Sequence, residues 1–355
     1  MLLCILIYFI VFVLSVTLVF CILDRSIRSK GYQGPVSDHF NGTVFINIKT
    51  AGTVRVRSGF WSILHWMLTR KKNVWVKRSV HQTKPLPRVE GETLTATLLN
   101  HASVLIQTEG LNILTDPIYS KRASPFSFIG PSRFTEPGVA FDDLPPIDVV
   151  IISHNHYDHL DLATLRRLVK RDNPRIFVPL GNRNYLESHG IKTSTELDWW
   201  ESEELAPGVS LMCVAGQHFS ARALSDRNKT LWCGYAVQTP HGDIYFAGDT
   251  GYGPFVNEIR TRFPQGFRLG LLPIGAFRPE WFMKEVHISP DEAFNIQQVL
   301  HIQDVVGIHH GTFKLADDTQ DEPVTRVKEL VGSLPSSQRF LTLLNGENAD
   351  IRTRA

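Results

Sequence analysis

The six residues His154-Asn155-His156-Tyr157-Asp158-His159 put three imidazoles and a carboxylate directly behind the apolar run Ile147–Ile152. That run, bounded by Pro146 and Ser153, reads as a buried strand, so the polar hexad is a sharp loop at a strand end. A loop of this kind can aim His154 and His156 at one ion and Asp158 and His159 at a second, which a regular strand or helix could not easily do. Nitrogen and oxygen ligands of this type suit zinc and leave iron and manganese open.

Moving outward, a histidine or an acid recurs at the end of three later apolar runs. His218 follows Leu211–Ala215, Asp249 follows Ile244–Ala247, and His309 follows Val305–Ile308. Strand ends on one edge of a sheet lie side by side, so these three positions can complete the site that the His-rich loop opens.

The remaining patterning agrees with a sheet-rich chain. Thr93–Thr108 and Leu111–Thr115 read as a strand pair around Glu109-Gly110, and Leu231–Gln238 and Ile244–Phe246 flank the turn Pro240-His241-Gly242-Asp243. Leu269–Ile274 is a further buried strand. Asp161 can cap a helix over Leu162–Lys170, and Ser289, Pro290 and Glu292 open a capping-box helix through Leu300. Strands with interspersed helices predict an α/β sandwich. Ser120–Pro146, long and rich in Pro and Phe, reads as a lip or lid rather than a featureless loop.

A chain of 355 residues with 43% hydrophobic content can build a large core. Its net charge of +2 hides a segregation. Thirteen Lys and Arg against the single acid Asp38 fall between Arg25 and Val89, whereas 24 basic and 33 acidic residues follow from position 90. The acidic part lacks an evident basic groove, which argues against a nucleic-acid partner. Four cysteines, two of them in an apolar run and none in CxxC spacing, are not a disulfide framework.

Met1–Leu23 carries no charged side chain and, as a helix, is long enough to cross a bilayer. Phe20, Cys21, Ile22 and Leu23 fit a signal-peptide cleavage site poorly, so an uncleaved anchor is expected. Arg25, Arg28 and Lys30 behind it place the bulk of the chain in the cytoplasm by the positive-inside rule. The stretch Trp61–Lys72 reads equally as an interfacial helix or as a core-packed helix with a basic end. The expected organisation is an anchor at 1–23, a basic juxtamembrane region at 24–92, a catalytic domain at 93–345 and a tail at 346–355.

HNHYDH, GQH, AGDTGYG and GIHHGTF, in this order, resemble the metallo-β-lactamase superfamily. DPIYSKRASP, ELDWW, PIGAFRPEWFMK and GTF resemble, more narrowly, the N-acyl-phosphatidylethanolamine-hydrolysing phospholipase D family and its bacterial relatives, from about Thr93 to Leu330. The resemblance implies an αββα sandwich with two zinc ions between loops at one edge. It assigns His154, His156 and His218 to one zinc, Asp158, His159 and His309 to the other, and Asp249 to both as a bridge. Asp158 is then both ligand and orienter, and His287 matches a position that assists the substrate phosphate or the leaving group. His310 stands where relatives commonly have Trp, Asn100 replaces a Gly usual before His101, and Val286 occupies the place of a Gln in vertebrate members.

The reaction this implies is attack of a zinc hydroxide on a phosphodiester, giving phosphatidate and N-acylethanolamine. The partners expected are a phospholipid substrate, a membrane and, as an option, a second copy in a homodimer. No histidine has Lys two positions on, and HExxH and GxSxG are missing, so covalent phospholipase D, HExxH-protease and serine-hydrolase chemistry lack their motifs. The alternatives are a metallo-hydrolase of another ester, such as a lactone or cyclic phosphodiester, and a membrane-tethered binding protein that keeps metal for structure.

Overall fold

The computed structural model describes residues 2–48, 60–71 and 73–353. Chain order gives β1 (Thr95–Asn100), β2 (Ser103–Thr108), β3 (Leu111–Thr115), β4 (Val149–Ile151), β5 (Arg175–Pro179) and β6 (Ser194–Leu197) to a first sheet. The second takes β7 (Ser202–Ala206), β8 (Val209–Val214), β9 (Gly234–Gln238), β10 (Ile244–Phe246), β11 (Leu269–Pro273), β12 (Asp304–Ile308) and β13 (Arg339–Leu341). The last strand, β14 (Asn348–Asp350), returns to the first sheet, whose spatial order is β14-β1-β2-β3-β4-β5-β6. The second runs β13-β12-β11-β10-β9-β8-β7.

Side-chain alternation along buried strands decides the layering. Ile113, Val149, Ile151 and Phe177 point into the core shared by the two sheets, where Leu211, Tyr235, Phe246 and Leu271 meet them. Their neighbours Leu114, Val150, Ile152, Ile176 and Val178 point the other way, under Leu165 and Leu168 of the helix Leu162–Arg171. On the far side, helices Phe255–Arg262 and Pro290–Val299 cover the second sheet with Val256, Ile259, Ala293 and Ile296. The result is a helix–sheet–sheet–helix sandwich. Asp161 caps its helix by accepting from Ala163 N, and Ser289 and Glu292 form the reciprocal capping box.

Three expectations change. Thr93–Thr108 is not one strand: His101, at φ +49°, turns the chain between β1 and β2. The tail expected from 346 is part of the sandwich, because β14 pairs antiparallel with β1 and Arg352 donates to the buried Asp304. The juxtamembrane stretch also folds onto the domain rather than standing apart. Phe40 and Phe45 enter the intersheet core, Arg88 pairs with Asp148 at 2.7 Å, and Arg78 forks onto Asp321.

The helix Phe60–Thr69 has one docked and one open face. Trp66 stacks on Phe282 with centroids 5.3 Å apart and donates Nε1–H to Asp317, whereas Trp61, Met67 and Leu68 are exposed. Of the basic residues in this region, Lys49, Arg55, Arg57 and Lys72 lie outside the described residues, as does Met1 of the anchor. The N-terminal helix Leu2–Ile27 holds one segment, Cys4–Ile27, long and apolar enough to cross a membrane, and none of that span is buried against the domain.

Candidate metal centre

Strands β3 to β6 run parallel, as do β10 to β13, so each sheet presents several carboxyl ends at one edge, the usual place for a ligand in such sheets. β8 and β10 both run antiparallel to β9 and therefore end on the same edge. The loops leaving these ends carry Asp116 after β3, His154–His159 after β4, His218 after β8, Asp249 after β10 and His309 after β12. Two residues of these loops have left-handed backbone, Asp116 at φ +33° and His309 at φ +61°. Gly248, at φ +60°, leads Asp249 into the site, and a Cβ there would lie 2.5 Å from Ser153 Cβ.

The side chains gather into two adjoining donor sets. In one, His154 Nε2 lies 2.8 Å from His156 Nδ1, which lies 3.3 Å from His218 Nε2. In the other, Asp158 Oδ2 is 3.3 Å from His159 Nε2 and 3.4 Å from His309 Nε2. Asp249 Oδ2 stands between them, 3.1 Å from His159 and 3.0 Å from His309, and 4.0 and 3.9 Å from His154 and His218. His287 Nδ1 is 3.9 Å from the same oxygen. All eight residues singled out from the sequence therefore meet around Asp249, while His310 contributes to none of the donor sets among the described residues.

Ring tautomers are set from outside the cluster. His154 Nδ1 donates to Ser153 Oγ at 2.9 Å, His218 Nδ1 to the Val286 carbonyl at 2.8 Å, and His159 Nδ1 to Asp116 at 2.6 Å. Each leaves an Nε2 lone pair facing inward, the arrangement a metal needs. His159 Nε2, His309 Nε2, His287 Nδ1 and Asp249 Oδ1 are buried without a hydrogen-bond partner, which is costly unless a cation satisfies them.

The electrostatics differ between the two sets. Burial drives His154 and His218 well below the ordinary imidazole value, with neighbouring imidazoles adding to it, and brings His156 to about 3. Burial would raise Asp158 and Asp249, but His159 and the other imidazoles hold both carboxylates ionised, well below their usual range. Burial likewise opposes charge on His159 and His309, yet the carboxylates prevail, raising His159 strongly and His309 to about 9. Two buried carboxylates ringed by imidazoles are a donor set for divalent cations, and the residues fit such ions.

Two further residues belong to the site and were not singled out from the sequence. His101 Nε2 lies 3.0 Å from Asp158 Oδ2 and its carbonyl accepts from His309 N, so it braces two members of the second donor set. Asp116 orients His159 directly and His154 through Ser153, whose hydroxyl lies 2.5 Å from Asp116 Oδ2. The signal for Asp116 was its place one residue past an apolar strand, the same cue that exposes Asp249. His101 offered no such cue, being in a turn hidden within an apolar run.

Known proteins resemble this chain in sequence and in fold. Residues 111–310 match the family described as a beta-lactamase superfamily domain. The chain is 36% identical over 329 residues, 86% of its own length and 92% of the relative's, to N-acyl-phosphatidylethanolamine-hydrolyzing phospholipase D 1 of Caenorhabditis elegans. It is 38% identical over 228 residues, 62% of this chain and 48% of the relative, to the mitochondrial N-acyl-phosphatidylethanolamine-hydrolyzing phospholipase D of Saccharomyces cerevisiae. Among solved structures, an isothiocyanate hydrolase from Delia radicum gut bacteria superposes with a TM-score of 0.58 at 20% identity, covering 72% of this chain and 99% of that one. A metallo hydrolase from Ignicoccus hospitalis gives 0.54 at 18% identity, covering 74% and 100%. At these identities the two structures speak to the fold alone.

Proposed function

Because the chain belongs to the N-acyl-phosphatidylethanolamine-hydrolysing phospholipase D family of the beta-lactamase superfamily, and is a metal-dependent hydrolase, we propose that it cleaves N-acyl-phosphatidylethanolamine or a closely related phospholipid with two zinc ions as cofactor. The products are phosphatidate and N-acylethanolamine. His154, His156 and His218 would hold one ion and Asp158, His159 and His309 the other, with Asp249 placed to serve both. The observation that carries this reading is the position of Asp249 Oδ2, within 3.1 Å of His159 and His309 of the second set and within 4.0 Å of His154 and His218 of the first.

Such a metal pair, when bound, supplies an activated water and positive charge against the phosphoryl oxygens, which is what in-line phosphodiester hydrolysis requires. The chain's own groups do the rest. His101 and Asp116 keep Asp158 and His159 aimed inward. His287, which burial brings to about 4, is neutral at working pH and can donate a hydrogen bond to a phosphoryl or leaving-group oxygen.

A lipid substrate is supported by apolar side chains on the loops that carry site residues. Leu224, 89% exposed, follows His218; Phe128, 78% exposed, lies in the lip; Trp281, 43% exposed, precedes His287. The helix Leu2–Ile27 is the membrane anchor in this reading, and Arg25, Arg28 and Lys30 keep the catalytic domain on the cytoplasmic side.

The test is product analysis by mass spectrometry after zinc-loaded, full-length protein meets vesicles containing N-acyl-phosphatidylethanolamine, with a primary alcohol added. N-acylethanolamine and phosphatidate should form with no phosphatidyl-alcohol, since water attacks phosphorus directly. A transfer product, or faster turnover of a lactone or cyclic phosphodiester than of the lipid, would overturn the reading.

A further inference from the structure

From Asp24, in the last turn of the N-terminal helix, to Asn47, the chain is hydrogen-bonded at several points to residues 218–229, a loop that begins with a residue of the metal cluster. Asp24 accepts from Leu224 N at 2.8 Å, Ser29 N donates to Asp226 at 2.7 Å, and Phe45 N donates to the Asn228 carbonyl at 2.8 Å. The lacing ends on His218 itself. Asn47 Nδ2 donates to the His218 carbonyl at 2.9 Å, and Asn47 Oδ1 accepts from His218 N at 3.0 Å.

We propose that Asn47 is a positioning residue of the metal centre, supplied by the anchor-proximal strap from outside the matched domain at residues 111–310. The inference rests on the metal reading above. One carboxamide satisfies both main-chain groups of His218, fixing its peptide planes, while Val286 fixes its ring through Nδ1. With backbone and ring both held, Nε2 has one direction left, toward His156 and Asp249. The residue type is specific: Asp lacks the donor, Gln places the amide one carbon further out, and an apolar side chain leaves a buried N–H and C=O without partners. The strap that ties the domain to its N-terminal helix is thereby part of the site's own framework.

The test uses full-length protein and two variants, Asn47→Ala and the near-isosteric Asn47→Leu, which both remove donor and acceptor, with two readouts. Amide hydrogen exchange at His218, measured on metal-free protein, should quicken in both variants. Competition for zinc against a chromophoric chelator should show one of two equivalents bound about tenfold to a hundredfold more weakly than in wild type. If Asn47→Ala does not fold, Asn47→Leu carries both readouts. Unchanged exchange at His218, or two equivalents held with wild-type affinity, would overturn the assignment. Wild-type protein that bound no zinc would instead sink the metal reading, and the exchange measurement would still decide whether Asn47 clamps His218.

Discussion

The carboxylate of Asp116 accepts a 2.6 Å hydrogen bond from Nδ1 of His159. The same group takes the backbone N–H of Ser153 at 2.7 Å and its hydroxyl at 2.5 Å, and that hydroxyl accepts from Nδ1 of His154. One buried acid at the end of β3 therefore sets the tautomer of one imidazole in each donor set, and the two halves of the site share a single support.

Replacing that acid should loosen both halves. Asp116→Asn keeps the size of the side chain but removes the charge that makes the His159 nitrogen a stronger donor to metal. Zinc affinity measured by chelator competition is expected to fall about tenfold to a hundredfold. Wild-type affinity in this variant would mean that Asp116 only fills space.

His287 packs its ring against His218 and His309 but lacks the hydrogen bonds that tie His154 and His159 to Asp116. His287→Gln should retain both equivalents of metal and lose about a hundredfold in kcat, the scale of a single proton or hydrogen-bond donor at the reacting atoms. Loss of metal in the variant would move His287 among the ligands, and an unchanged kcat would remove it from the chemistry.

A pH dependence is expected far from the site. Asp304 is fully buried, which disfavours its charge, but hydrogen bonds from Arg339 and Arg352 outweigh burial and hold its carboxyl below the ordinary 3.8. A carboxyl lowered in the folded state contributes stability that is complete above its unfolded value and lost as pH falls through the folded one. Asp304→Asn should cost about 2 kcal/mol at pH 7. In thermal unfolding, the gap from wild type should close only below about pH 4. A gap that stayed constant down to pH 2 would contradict this.

Much of the site was legible because its residues follow strands whose apolar runs are local and short. His154 to His159, His218, Asp249 and His309 each sit just past such a run, and parallel strands carry them to one edge. Partners that depend on distant pairing were not legible. β14 finds β1 from the far end of the chain, and Asn47 meets His218 across 171 positions, with no periodicity to announce either. His101 was hidden for a third reason: the apolar residues on both sides merge two strands into one run, and only its left-handed backbone shows the break.

The most direct test of the paired-ion site is the metal content of purified Asp249→Asn beside wild type, read together with release of N-acylethanolamine from N-acyl-phosphatidylethanolamine. Wild type should hold two equivalents of zinc. The variant should keep no more than one tightly, with turnover down by about a hundredfold or more. A variant that retained two equivalents and wild-type turnover would show that Asp249 does not join the two donor sets.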